Sequence, residues 1–343
     1  MPETLLIGTY PAAGFGTPAG AGEGLWRLTL DLATGELSDP RQVATTPAPS
    51  FACRGAGGDT VYSVSETTGG TVSGWRLVDG AAEPLGTCST AGADPCHVRH
   101  LPEIGSLVVT NYTSGSVAVV PVADDGALRS AEPAQVFALT GSGPDRDRQE
   151  GSHAHQSLPS PDGRWLLVTD LGGDTVWRFA VDRASRRLVL DGAAATLPPG
   201  TGPRHAAFSA DGSVLAVLGE LDGRLHALRW DPAAGSALPG HAVAACPGAA
   251  SALAHVERAG DRLLVGCRGA DAVTGFTLAP DGSACHDATY PLPGRNPRHH
   301  RVVGDWLVVA LQQSHRVVAL DRDGTTRGSA PIPSPACILP AQG

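Results

Sequence analysis

The sequence predicts an all-β chain, a seven-bladed β-propeller in which strands from both termini close one blade. Three observations carry this. A strand–turn–strand pattern occurs seven times, a second short element precedes each hairpin, and the two ends of the chain hold complementary fragments of one repeat.

The hairpins read LLIGTY…GLWRLTL from Leu5, VYSVSETTGGTVSGWRL from Val61 and SLVVTNYTSGSVAVVPV from Ser106. They continue as WLLVTDLGGDTVWRFAV from Trp165, VLAVLGELDGRLHALRW from Val214, RLLVGCRGADAVTGFTL from Arg262 and WLVVALQQSHRVVALDR from Trp306. From the second copy onward the starts lie 44 to 59 residues apart, close to the spacing of propeller blades. No segment sustains the 3.6-residue periodicity of a long helix. The preceding elements are APSFACR, DPCHVRH, SHAHQSL, GPRHAAF, ALAHVER, NPRHHRV and, at the C-terminus, SPACILP. Each is expected to be the innermost strand of a blade. The chain starts with a hairpin that lacks this strand and ends with a strand that lacks its hairpin. Joining the two removes an open sheet edge and makes residues 1–343 one domain.

Composition agrees with many short strands. Glycine (44) and proline (28) are spread along the whole chain, and 42% of residues are hydrophobic, enough for a sizeable core. A net charge of -9 disfavours nucleic acid or an anionic membrane as partner, since either wants a basic face. No apolar run approaches the roughly 20 residues of a membrane helix, and the N-terminus does not read as a secretory signal. Seven scattered cysteines without a CxxC pair indicate neither a disulfide framework nor a zinc ribbon, so a reduced, cytoplasmic protein is expected. A monomer or weak homodimer is expected.

Superposing the inner strands places Phe51, His97, His155, His205, His255, His299 and Cys337 at one position. Superposing the ends of the following strands aligns Tyr10, Glu66, Tyr112, Leu171, Glu220, Arg268 and Gln312. Because inner strands converge on one axis, equivalent positions form rings at the channel. Arg204 and Arg298 stand just before the ring in Pro-Arg-His contexts. A histidine at a repeated position can simply hydrogen-bond a neighbouring blade, but five of them beside Glu220 and Arg268 point to a site. Histidines also ligate metals. However, no HExxH-type spacing occurs and nearby arginines repel a cation, so no metal or other cofactor is expected. The segment GSGPDRDRQEGSHAH, residues 141–155, interrupts the repeat; its alternating charge suits a solvated loop, while His153 and His155 bring its end to the channel mouth.

The chain resembles the seven-bladed propeller lactonases, which include propeller-type 6-phosphogluconolactonases and fungal carboxymuconate-lactonizing enzymes. TNYTSGSVAVVPV, GSGP…RQEG.HAH, SPDGRWLLVTDLGGDTV, GPRHAAFSADG and the GEL segment at Glu220 carry the resemblance, in that order and over nearly the whole chain. It implies a small acidic lactone as partner, with His155 as active-site histidine, His153 beside it, and Arg204, Glu220 and Arg268 as the charged catalytic groups. The family's usual Asn-Glu and Asn-Arg pairs are Gly219-Glu220 and Cys267-Arg268 here.

Lactone hydrolysis needs a base for water and a stabiliser for the oxyanion. The expectation is that His155 or Glu220 takes the proton, and that Arg204 and Arg268 hold the oxyanion or the substrate's anionic group, with Arg298 as a further contact. His153, His205, His97, His255, Glu66, Tyr112 and Gln312 are candidate substrate contacts. Cycloisomerisation by the same groups, or a non-catalytic binding propeller, are the alternatives.

Overall fold

The computed structural model describes residues 2–10, 24–78, 80–246 and 252–341. It is a ring of seven four-stranded antiparallel sheets, with one 3₁₀ turn at Gln312–Ser314 as the sole helical element among the described residues. The inner strands of blades 1 to 7 are Pro335–Pro340, Ala52–Arg54, Pro95–Leu101, Ala154–Pro159, Pro203–Phe208, Leu253–Ala259 and Pro297–Val303. Each lies beside the next, and the seventh returns to the first. In blade 1 the C-terminal strand Pro335–Pro340 pairs with the N-terminal strand Pro2–Thr9, as the sequence predicts.

The second strand of each blade is mostly apolar because both of its faces are buried. In blade 1, Leu5 and Ile7 pack against Trp306, Val308 and Val317 of blade 7, while the intervening Leu6 packs against Val61 and Trp75 of blade 2. This is the two-residue periodicity of a strand, with both phases inside. Seven hydrophobic clusters result, one per gap between adjacent blades. A fully buried leucine such as Leu28 contributes about 1.5–3 kcal/mol to the gap it fills.

One bond recurs in every blade. The backbone N–H of the residue ending the second strand donates to a carbonyl at the start of the inner strand. The pairs are Tyr10–Ser334, Glu66–Ala48, Tyr112–Asp94, Leu171–His153, Glu220–Gly202, Arg268–Ala252 and Gln312–Asn296. Counting from that carbonyl gives the true frame of the inner strands, and it corrects the sequence superposition. Position two holds Ser50, Cys96, His155, Arg204, Ala254, Arg298 and Ala336; position three holds Phe51, His97, Gln156, His205, His255, His299 and Cys337. His155 therefore belongs one residue earlier than the other histidines, and Gln156 takes the place assigned to it. The physical reason is a β-bulge. The register between inner and second strands shifts at this point in six blades, leaving positions such as Cys96, His155 and Arg298 without an opposite partner. Such a residue is free to turn its side chain away from the ladder.

The cysteines also require a correction. Cys246 and Cys267 are disulfide-bonded, with Cα atoms 6.5 Å apart, tying the end of blade 5 to blade 6 next to Arg268. The expectation of a reducing compartment loses its ground there. No helix among the described residues is long and apolar enough to cross a membrane.

Candidate functional site

The position-two ring opens onto a pocket of about 380 Å³ at one mouth of the channel. Cys96, His155, Arg204 and Arg298 come from this ring; Tyr10, Glu66, Tyr112, Glu220 and Arg268 come from the strand ends. Asp94, Thr113 and Arg148 complete the lining. Of the residues singled out from sequence, His155, Arg204, Glu220, Arg268, Arg298, Glu66 and Tyr112 are thus brought together.

Glu220 organises one half. Its Oε2 lies 2.8 Å from Arg204 Nε and 2.8 Å from Arg268 Nη2, and its Oε1 accepts a 2.7 Å hydrogen bond from Arg148 Nη2. The Arg204 N–H is not aimed along its contact, which is therefore ionic rather than hydrogen-bonded. Arg204 also donates to the Ala254 carbonyl, and Arg268 donates to the Leu253 carbonyl at 3.0 Å. Burial alone would raise the Glu220 carboxyl, but Arg268, Arg204 and Arg148 hold it far below the usual carboxylate range. Burial, with Arg268 nearby, lowers Arg204 to about 9, which still leaves it charged at neutral pH. The second half is built around Arg298, whose guanidinium lies 4.4 Å from the centre of the Tyr10 ring and 3.9 Å from Glu66 Oε1. Burial raises the Glu66 carboxyl against the pull of Arg298.

His155 is nearly inaccessible, and its Nδ1 is buried without a hydrogen-bond partner. Burial first, then Arg204, pushes it well below the ordinary imidazole value, so it is neutral around pH 7. Cys96 is no competing nucleophile: burial raises its thiol, which rests against the His155 carbonyl at 3.3 Å.

Arg148 is the functional residue that sequence reasoning missed. Its alternating-charge surroundings read as a solvated loop, yet its guanidinium bonds Glu220 and also donates to Tyr112 Oη at 3.2 Å. The loop is held because its next residue, Gln149, is fully buried and donates to the Leu171 carbonyl and to Asp174 Oδ1, each at 2.9 Å. Asp170 fixes the far end by accepting from the His153 N–H at 2.7 Å and the Ser152 hydroxyl at 2.7 Å. Gly172 leaves room for this approach; a Cβ there would lie 1.7 Å from the Gly151 carbonyl oxygen.

The other candidates lie outside this pocket. His153 stacks on Tyr112 at 4.5 Å and bonds its carbonyl through Nδ1 at 3.0 Å, so it supports the pocket wall from behind. Gln312 is fully buried, accepts from Asn296 and donates to the Tyr10 carbonyl at 3.3 Å. His97, His205 and His255 belong to the position-three ring, which fills the channel. Neighbouring ring centroids run Phe51–His97 4.3 Å, His97–His205 6.1 Å, His205–His255 5.1 Å, His255–His299 4.0 Å and back to Phe51 at 5.8 Å. His205 Nδ1 and His255 Nδ1 are hydrogen-bonded at 2.9 Å, one ring donating to the other. Among the described residues no three His, Cys, Asp or Glu side chains converge as a metal site.

Comparison with known proteins fits this geometry. The sequence model of "Lactonase, 7-bladed beta-propeller" matches residues 4–339. The chain is 27% identical to 6-phosphogluconolactonase of Bacillus subtilis, over 97% of this chain and 96% of that protein. It is also 27% identical to 6-phosphogluconolactonase of Formosa agariphila, over 89% and 90% of the two chains. The solved structure of the periplasmic gluconolactonase of Pseudomonas aeruginosa superposes with a TM-score of 0.88 at 27% identity, covering 99% of each chain. The chain belongs to the seven-bladed β-propeller lactonase family.

Proposed function

We propose that the protein hydrolyses an acidic sugar lactone, such as 6-phosphogluconolactone, at the arginine-lined mouth. The observation that carries the reading is the convergence of four guanidiniums, Arg148, Arg204, Arg268 and Arg298, with the neutral His155 on one pocket. The names of the Bacillus and Formosa relatives support the choice of substrate.

His155 is the base. A water bonded to its imidazole gives up a proton as it attacks the lactone carbonyl carbon, and the carbonyl oxygen becomes an oxyanion. Arg204 and Arg268, already fixed by Glu220, stabilise that charge without reorganising. The tetrahedral intermediate collapses by breaking the bond to the ring oxygen, which takes the proton back from His155. The product is the open-chain hydroxy acid, which ionises. Glu220 is not the base, because a carboxylate held by three arginines has little affinity for a proton; its work is to position them. Arg148 and Arg298 face the remaining space and suit the substrate's phosphate or carboxylate. Burial is the main cause of the lowered His155 value, and an anion bound there offsets part of the arginine charge that adds to it.

The test is a pH-stat assay of 6-phosphogluconolactone against its unphosphorylated counterpart, corrected for spontaneous opening. The expected result is turnover above background, with the phosphorylated lactone preferred by at least about tenfold in kcat/KM, the worth of one charge-assisted contact. Preference for the neutral lactone would overturn the acidic substrate. Absence of hydrolysis, with cyclisation of a carboxymuconate instead, would overturn the reaction.

A further inference from the structure

The opposite mouth of the channel holds a second pocket, of about 270 Å³, which shares no lining residue with the first. Its floor is the underside of the aromatic plug, through Phe51, His97, Gln156, His255, His299 and Cys337. Its rim takes Leu339, Cys53, Arg99 and Arg301 from one register of the inner strands, five residues beyond the recurring carbonyl. In blades 1 to 7 that register holds Leu339, Cys53, Arg99, Leu158, Ala207, Glu257 and Arg301. Four of the seven are apolar or carry a thiol that burial keeps neutral, Cys53 being pushed up to about 12, and one is the acidic Glu257. Two are arginines, and they stand on blades 3 and 7, on opposite sides of the ring.

Neither arginine is neutralised in the way the arginines of the first pocket are. Arg99 donates through Nε to the Ser157 carbonyl at 3.2 Å and has no carboxylate in ion-pair contact among the described residues. Arg301 has one loose contact, 3.4 Å to Glu257 Oε1, while Glu257 Oε2 is taken by the Val302 N–H at 2.9 Å. Burial pushes Glu257 up to about 7, so near neutral pH its negative charge is only partly present. Burial, and then Arg301, lowers Arg99 as well. Arg99 and Arg301 line one pocket together with Arg54, which donates to the Pro340 and Gly58 carbonyls, and Glu257, the carboxylate beside Arg301, does not balance the three, a combination that a bound anion relieves. The histidines of the floor are neutral and able to donate one N–H each.

We propose that this far pocket is a second, separate anion site, in which Arg99 and Arg301 clamp a small oxyanion, a phosphate or a carboxylate, from opposite sides of the channel. The plug isolates it from the lactone pocket, so it does not depend on the proposed hydrolysis.

Calorimetric titration of the full-length protein with inorganic phosphate and, separately, with citrate tests this. Two sites are expected. Arg99→Leu should weaken one of them by roughly 10- to 100-fold, as loss of a charge-assisted bond predicts, and should leave lactone turnover within about twofold. Arg148→Ala should weaken the other. Binding of phosphate alone identifies a phosphoryl ligand, and of citrate alone a carboxylate; either supports the clamp. Arg301→Leu provides the same readout should Arg99→Leu not fold. Wild-type affinity of both sites for both anions in Arg99→Leu and Arg301→Leu, or no binding of either anion outside the lactone pocket, would overturn the proposal.

Discussion

Position two and position three of the inner strands are adjacent in sequence but occupy different environments. Position two supplies Cys96, His155, Arg204 and Arg298 to an open, charged pocket. Position three supplies Phe51, His97, His205, His255 and His299 to a plug whose rings contact one another. What separates them is the bulge, which lets neighbouring residues both point into the channel, at different depths. The same residue type therefore has different chemistry on either side of it. His155 lines the charged cavity and its buried Nδ1 has no partner, whereas His205 spends its Nδ1 on His255. Here the repeated histidines pack against one another, and the one that breaks the repetition is the proposed base.

Variants of the two rings should break this comparison in different ways. Among the arginine and loop variants the largest effect is expected from Arg204→Ala, which removes a proposed oxyanion contact and strands the buried Glu220 charge. kcat/KM should fall about 100- to 1,000-fold, with stability lower by about 3–5 kcal/mol, read by steady-state kinetics and denaturant titration. Arg148→Ala should fall next. Its side chain is 41% exposed, and its loss should appear mainly as a roughly tenfold rise in KM for an anionic lactone. Gly172→Ala should mimic it by lifting the loop from its seat, with Arg204 contacts unchanged. His205→Ala sharpens the contrast from the other side: it should cost about 1–3 kcal/mol by leaving His255 Nδ1 unpaired, while kcat/KM stays within about threefold.

The smallest expected effect is a pH response that fails to appear. His155 lies well below the ordinary imidazole value of 6.5, so its neutral form persists as pH falls from 8 to 6 and kcat/KM should stay flat. An unshifted imidazole would lose about half its activity at pH 6.5. Stability has the opposite origin. Glu220 is depressed in the fold, so its ion pairs stabilise the protein above the unfolded carboxylate value near 4.5 and lose that contribution as pH falls below it. Thermal melts should weaken in acid, and less so in Glu220→Gln.

The fold was legible because its signals are local and repeated: apolar second strands, a short inner strand before each, and complementary ends. The strand-end ring was legible too, since Tyr10, Glu66, Tyr112, Glu220 and Arg268 keep the frame that the sequence superposition assigned. The frame of His155 was not. With His153 and His155 both present, matching histidine to histidine skips the bulge by one residue. Arg148 was hidden because DRDRQEG carries the charge pattern of a solvated loop, and only the burial of Gln149 shows that the loop turns inward. The Cys246–Cys267 bridge joins two blades, a proximity that cysteine spacing does not encode.

The central claim is that one residue of frame separates the reactive histidine from the structural ones. Its most direct test is kcat/KM for 6-phosphogluconolactone in His155→Asn beside His97→Asn. The account predicts a loss of about 100- to 10,000-fold for His155→Asn, the worth of a general base, and a change within about threefold for His97→Asn. Equal losses in the two variants, or a larger loss at His97, would contradict it.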